Sequence, residues 1–385
     1  MISIFEKFPV LIHQVLFLVA QFIILIICGV GYSGSLAYIG ALSSVLAILI
    51  CLRWDIEIMV NKAQALSENL LDASVTIGFM TFFILLVNII FGSPLPSHIV
   101  LAAIAIAIHE LLVSILFVQS FFYIYAFFRS LPAVTLIILA LLGFKPEIIW
   151  PASFLLSASC LVFYFIDLVK ASIFNISIER IKLIYILPKL YAAITATTFT
   201  FVSALFIIVI SLNYGDEYAG LWSNTVRIFN SIIIFLLATL LPFILKKMGD
   251  TVFEAEKVMV FFRLWILLLP LIILTLFVVL NHGTYIFALF TPINFDVTNI
   301  HLSYVFLIAL SVSFVGSSQG LYQATNKSIV LLCMVIMAKI LAFIVIYGST
   351  FSFNNLLEIF LFFALFLVFM ILIHLTYCLK FKSDN

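Results

Sequence analysis

Long uninterrupted apolar runs dominate this chain of 385 residues and limit the folds that it can adopt. A run of about 18 or more apolar residues is typical of a helix that spans a membrane. Only 9% of the residues are charged, against about 25% in an average globular domain. The mean hydropathy is +1.35. The sequence therefore predicts an all-α polytopic membrane protein.

Twelve apolar segments fit this pattern, and we expect them to form two six-helix lobes. The N-terminal lobe is predicted over residues 1–170, a cytoplasmic link over 171–190, and the C-terminal lobe over 191–385. Residues 29–34 match a glycine-rich nucleotide motif, but without the required βαβ context they indicate a tight external turn. The twelve predicted spans are 9–30, 34–52, 74–93, 98–120, 130–145, 151–169, 191–213, 219–245, 264–281, 303–323, 328–349 and 355–379.

The positive charges alternate with these spans. Of the 18 lysines and arginines, 15 fall on the side of the N-terminus, only Lys145 falls on the other side, and Arg227 and Lys339 fall within spans. Because cytoplasmic loops carry an excess of cations, both termini are expected on the cytoplasmic side of the membrane. The 15 are Lys7, Arg53, Lys62, Arg129, Lys170, Arg180, Lys182, Lys189, Lys246, Lys247, Lys257, Arg263, Lys327, Lys380 and Lys382.

Two cations within spans are the first candidate binding residues. Lys339 lies in the middle of span eleven, where its ammonium group cannot easily reach a headgroup. Arg227 lies about two turns inside span eight, so it either extends to the outer headgroups or faces a hydrated interior. A guanidinium group offers paired donors that suit a phosphate.

His109 and Glu110 lie in the middle of span four. Ionisable groups at this depth usually face a cavity or a partner. They are interpreted as a coupling site for H⁺ or Na⁺, as a counter-ion for Lys339 or Arg227, or as a buried pair bonded to neighbouring helices. No second histidine follows at the spacing of a metalloprotease, so no metal site is predicted.

Three further polar residues lie near the inner ends of spans. Arg53 is either an interfacial anchor or part of the inner mouth of a cavity. Gln319 and Gln323 lie one turn apart in span ten, where they either face a sugar or bond one helix to another. No catalytic motif, cofactor or nucleic-acid partner is predicted.

Three segments resemble Wzx-type polysaccharide flippases, which belong to the multidrug/oligosaccharidyl-lipid/polysaccharide exporter superfamily. They are LRWDIEIMVNKAQALSENLLDAS (52–74), EYAGLWSNTVRIFNSIIIFLLATLLPFIL (217–245) and GSSQGLYQATNKS (316–328). Arg53 and Arg227 match arginine positions of that family. Trp54 departs from it, because tyrosine is usual there, and Lys339 has no assigned counterpart.

This resemblance implies a V-shaped, MATE-like transporter of two six-helix lobes that is not an enzyme. It implies transfer of undecaprenyl-diphosphate-linked oligosaccharides across the bacterial inner membrane for O-antigen or capsule assembly, with membrane lipids around the protein. A polysaccharide polymerase and a chain-length regulator are the expected partners, and Arg227, Lys339 and Arg53 the expected diphosphate contacts. Two alternatives stay open. One is a polytopic polysaccharide polymerase, disfavoured by the short external loops, and the other is a MATE-like small-molecule antiporter.

Overall fold

The computed structural model describes residues 4–60, 66–92, 95–167, 193–194, 216–251, 253–290, 298–325, 327–347 and 353–380. Within these ranges the chain forms eleven principal helices and no strand. We call α1–α6 the first half and α7–α11 the second half. The helices are α1 (Ile4–Cys51), α2 (Trp54–Val60), α3 (Leu66–Ile90), α4 (Ser97–Val118), α5 (Phe122–Leu141), α6 (Pro146–Tyr164), α7 (Asp216–Asp250), α8 (Glu254–Phe290), α9 (Asn299–Ala324), α10 (Ser328–Tyr347) and α11 (Phe353–Lys380).

The expected all-α membrane architecture is confirmed. Seven helices in the described part of the chain are long and apolar enough to cross a membrane. Each predicted span from the third to the sixth and from the eighth to the twelfth overlaps one helix. The predicted link at 171–190 lies outside the described residues, as does the seventh span apart from residues 193–194.

The first helix differs from the prediction. It continues from Ile4 to Cys51 as one helix of 48 residues, so the tight turn expected at 29–34 was wrong. At about 1.5 Å per residue, such a helix is roughly 70 Å long, about twice the apolar thickness of a bilayer. A glycine costs a helix only about 1 kcal/mol relative to alanine. The apolar helix-forming residues on both sides outweigh that cost.

The fifth span also begins earlier than predicted. α5 starts at Phe122 rather than near residue 130, and it includes Pro132. The prediction placed Arg129 at the edge of a short span that could also start earlier, and the structure places it inside the helix. The earlier start matters because it turns the Arg129 side chain toward α4, inside the first half.

α4 is the central helix of the first half. It packs against α1, α2, α5 and α6, and most of its residues are buried. Ala102, Ala103, Ala105 and Ala107 allow this close approach, because small side chains let neighbouring helix backbones come together. This packing brings residues of α4, α5 and the α1–α2 junction to one place.

Large apolar side chains cover the outer surface. Phe79, Phe82 and Phe83 on α3 are more than half exposed, as are Ile266 and Leu267 on α8. Such side chains are unfavourable in water and favourable against lipid tails. Their position agrees with a protein whose outer helices face a bilayer.

The two halves contact each other through α1 and α2 on one side and α7 on the other. Phe243 of α7 packs in the first-half core, with its ring centroid 4.9 Å from that of Phe117 and 5.5 Å from that of Phe122. In the opposite direction, Ile56 and Met59 of α2 pack in the second-half core. The two halves are therefore interlocked where α2 meets α7.

Candidate functional site

A pocket of about 210 Å³ lies where the α1–α2 junction, α4 and α5 meet α7. It brings together two arginines and two carboxylates. Arg53 and Asp55 come from one part of the sequence, and Glu110 and Arg129 come from another. The pocket is lined by Arg53, Asp55, Ile56, Met59, Glu110, Val113, Ser114, Tyr125, Arg129, Leu241, Pro242 and Leu245. Three apolar residues of α7 close the wall that belongs to the second half.

Arg53 lies in the two-residue turn that joins α1 to α2. Leu52 and Arg53 have φ angles of 45° and 61°, a left-handed backbone that is unfavourable for side chains other than glycine. The Arg53 Nη1 atom is 3.7 Å from Asp55 Oδ2, and its buried Nε atom has no hydrogen-bond partner. The predicted cation at the inner mouth of a cavity therefore does line a pocket.

Glu110 on α4 forms an ion pair with Arg129 on α5, in which Arg129 Nη1 donates to Glu110 Oε2. The partner proposed from the sequence was Arg227 or Lys339. Arg129 takes this place because α5 starts early and turns the residue toward α4. Tyr125 lies one turn before Arg129, and both side chains line the pocket.

His109 is only 1% exposed and does not line the pocket. Its Nε2 atom lies 3.3 Å from the backbone oxygen of Phe128, which also accepts a hydrogen bond from Ser157 Oγ. Its Nδ1 atom is 3.7 Å from Glu110 Oε1, too far for a hydrogen bond. These contacts fit the interpretation of a buried residue that bonds neighbouring helices.

The two glutamines of α9 differ. The Gln323 Nε2 atom donates to the backbone oxygen of Arg53 at 3.3 Å and to Glu57 Oε2 at 3.1 Å, so it bonds α9 to the α1–α2 segment. Gln319 is half-buried one turn earlier in the same helix and does not line the pocket. Gln323 thus follows the helix-bonding interpretation.

The other two residues predicted to contact a diphosphate are Arg227, which lies in α7, and Lys339, which lies in α10. Their side chains lie outside the described part of the chain, so their roles stay predictions. The pocket residues that the sequence interpretation missed include Asp55, Ser114, Tyr125 and Arg129. The spacing of Tyr125 and Arg129, four residues apart in an apolar segment, was the available signal, because it places both on one helix face.

Solved structures with the same architecture exist. A mutant of the Vibrio cholerae MATE transporter VcmN matches with a TM-score of 0.66 and 14% identity, over 99% of this chain and 96% of that one. The fold is that of the MATE transporters. The MATE multidrug transporter DinF-BH matches with a TM-score of 0.62 and 15% identity, over 96% and 94% of the two chains. VcmN in its bent form matches with a TM-score of 0.63, 14% identity and coverages of 98% and 96%.

No family model matches the sequence, and no curated protein matches it. The MATE fold is thus recognised through the arrangement of helices at low sequence identity. The MATE-like architecture expected from the resemblance is confirmed.

Proposed function

We propose that this chain is a transporter that moves its cargo across the bacterial inner membrane by alternating access. The observation that supports this most is the charged pocket between the two halves, in a chain with the MATE fold. In such a protein the halves open toward one side of the membrane at a time. A pocket at their junction is accessible or closed according to how they tilt.

The first cargo class is a small molecule exchanged for H⁺ or Na⁺, as in a MATE-like antiporter. The structural neighbours favour it, since they are MATE transporters and one of them is a multidrug transporter. In this role the Glu110–Arg129 pair is the ionisable group closest to the cargo path. Uptake of a coupling ion by Glu110 requires Arg129 to leave it.

The second cargo class is the diphosphate-linked oligosaccharide lipid of a Wzx-type flippase. One feature of the pocket supports it: the two arginines and two carboxylates balance in charge, but the buried Arg53 Nε atom has no hydrogen-bond partner and can donate to a phosphate. A diphosphate cannot enter an apolar region without compensating charge, and guanidinium groups bind phosphate through paired hydrogen bonds. The lipid tail of the cargo would remain in the bilayer.

One pair of assays separates these functions. The gene is expressed in a bacterial strain that lacks its own O-unit flippase, and surface polysaccharide is measured. It is expressed in parallel in a strain that lacks multidrug exporters, and efflux of a cationic dye is measured. Dye efflux without polysaccharide identifies the antiporter, and the reverse result identifies the flippase. Failure of both assays with normal amounts of protein contradicts transport of either cargo.

An Arg53→Ala variant sharpens the test. If the cargo carries a diphosphate, loss of this cation removes its compensating charge, and export of polysaccharide falls. The matched control is Lys247→Ala, which removes an exposed cation at the end of α7 that does not line the pocket. Equal export by the two variants contradicts a phosphate contact at Arg53.

A further inference from the structure

One end of the protein carries two polar contacts that join the halves. Each uses a side chain near the C-terminal end of a second-half helix, Gln323 on α9 and Lys246 on α7. Each reaches a short connection of the first half, the α1–α2 junction or the α4–α5 turn. Arg53 and Lys246 are among the cations predicted on the cytoplasmic side, so this end is the predicted cytoplasmic face.

The first contact centres on Gln323, which is 8% exposed. It donates to the backbone oxygen of Arg53 and to the carboxylate of Glu57, which lie 270 and 266 residues away in the sequence. A hydrogen bond to a charged acceptor is worth more than one between neutral groups. This side chain therefore holds α9 against the α1–α2 segment.

The second contact centres on Lys246. Its Nζ atom donates to the backbone oxygen of Val118 at 3.2 Å and to Ser120 Oγ at 2.8 Å. The same ammonium group lies 5.9 Å from the centre of the Phe122 ring, within the range of a cation–π contact. Lys246 therefore holds the end of α7 against the α4–α5 turn.

Both contacts end on strained backbone. In the described part of the chain, three residues other than glycine have a positive φ angle: Leu52, Arg53 and Ser120. Arg53 and Ser120 accept hydrogen bonds from Gln323 and Lys246 respectively. Such conformations persist where the surroundings hold them, and they concentrate at positions that change shape. The contacts from Gln323 and Lys246 help to hold these two turns in their strained backbone conformations.

The pocket lies beside these contacts. Arg53 lines the pocket, and its backbone oxygen accepts the hydrogen bond from Gln323. Leu245, the neighbour of Lys246, also lines the pocket wall. Phe243 and Met59 each pack here among apolar side chains of the opposite half. These apolar contacts and the two polar contacts therefore lie together at the junction of the halves, on this side of the pocket.

We propose that Gln323 and Lys246 form the gate that closes the pocket on this face, and that both must release before the pocket opens there. This inference rests on the proposed alternating-access function. The contacts of Gln323 and Lys246 then set the balance between the forms of the protein in which the pocket is closed and open on this face.

Accessibility of the pocket tests the gate without knowledge of the cargo. The five natural cysteines are replaced, and Ser114→Cys places one thiol in the pocket. A membrane-impermeant maleimide is added to inside-out or right-side-out vesicles, and the labelling rate is measured. Gln323→Ala and Lys246→Ala should each raise the rate roughly fivefold or more, from the gated face only, as expected for the loss of one or two hydrogen bonds.

The neighbouring Lys247→Ala variant is the matched control and should label at the original rate. Unchanged labelling in both gate variants overturns the proposal, and so does an equal increase from both faces. Labelling that rises as expected in a protein that transports neither cargo leaves the gate intact and contradicts the proposed function instead.

A second measurement covers the case in which a gate variant does not fold. Gln323→Cys and Glu57→Cys are combined in the cysteine-free chain, and a short bis-methanethiosulfonate reagent joins the two thiols, because cysteine is shorter than the native side chains that meet at 3.1 Å. The cross-link should stop transport, and a reductant that cleaves it should restore transport. Full transport by the cross-linked protein overturns the gate.

Discussion

Glu110 and Arg129 form an ion pair between α4 and α5 on the wall of the pocket, although 19 residues separate them in the sequence. Their side chains are 32% and 27% exposed, so the pair is only partly shielded from the pocket. An ion pair in this setting stabilises the first half, and under the proposed function it also presents charge to the cargo. Substitutions of the pair therefore test stability and the proposed transport together.

Removal of Arg129 should destabilise the protein. We expect Arg129→Ala to lower the free energy of unfolding by about 2 kcal/mol, between the values typical of exposed and of fully buried pairs. The reason is that Glu110 is left in a partly buried site without its counter-charge. Thermal unfolding in detergent measures the effect.

Two comparisons make this test specific. Arg263→Ala removes an exposed cation on α8 and should leave the melting temperature unchanged. The double variant Glu110→Gln/Arg129→Gln should recover part of the loss, because no charge remains unpaired. Equal melting temperatures for Arg129→Ala and Arg263→Ala would contradict a stabilising pair.

Substitutions of Arg227 and Lys339 distinguish the two proposed cargo classes. If the cargo carries a diphosphate, Arg227→Ala or Lys339→Ala should abolish transfer of lipid-linked glycan while protein levels stay normal, since the compensating charge is lost. Export of surface polysaccharide and efflux of a cationic dye are measured for both variants. Unimpaired surface glycan in both rules out a cationic cavity.

Gly320 on α9 is a packing position. A methyl group there would overlap the terminal Leu245 Cδ2 atom of α7. We expect Gly320→Ala to destabilise the protein by about 1 kcal/mol, because the clash outweighs the helical advantage of alanine. The melting temperature in detergent measures the change.

Gly316 provides the matched control one turn earlier in the same helix. An added methyl group there meets no atom within 4 Å, so Gly316→Ala should be neutral or slightly stabilising. Adding Leu245→Ala to Gly320→Ala removes the clash and should cost less than the sum of the two single changes. Identical effects at Gly316 and Gly320 would exclude this contact as the cause.

Lys327 should make stability depend on alkaline pH. It lies between α9 and α10, and its Nζ atom pairs with Glu254 and is 3.5 Å from Cys378 Sγ. Burial acts to lower the pKa of Lys327, but the hydrogen bond to Glu254 and the nearby Cys378 outweigh it, so the pKa is raised. A lysine with a raised pKa stabilises the folded state fully below its ordinary pKa of about 10.4. That stability is lost as the pH rises through the raised value.

The melting temperature of Lys327→Met should therefore lie below that of the wild type at about pH 8, and the difference should shrink above about pH 10.4. Lys247→Met, which changes an exposed lysine, provides the reference curve. A constant difference between Lys327→Met and the wild type up to the alkaline limit would contradict the Lys327–Glu254 interaction as its source.

The apolar runs alone predicted the positions of most helices, because a chain in a bilayer must satisfy its backbone hydrogen bonds within each segment. The same runs predicted a break at 29–34 that does not occur. Glycine and serine lower helix stability by amounts that neighbouring contacts readily exceed, so local composition could not decide whether α1 continued.

The sequence likewise predicted some residues of the candidate site and missed others. Arg53, Glu110 and Gln323 stood out in the sequence, because polar groups in an apolar chain are expensive and therefore informative. Arg129, the partner of Glu110, did not stand out, since it resembled an ordinary flanking cation, and the same holds for Lys246, which contacts the α4–α5 turn.

The sequence by itself determined that this chain is an all-helical membrane protein with isolated polar residues in its spans. Only the tertiary structure decided which of these residues meet: Glu110 with Arg129, Gln323 with Arg53 and Glu57. The physical reason is that hydropathy depends on each segment alone, whereas these contacts depend on helix packing. A shift of a few residues in the start of one helix, as in α5, changes which side chains face each other.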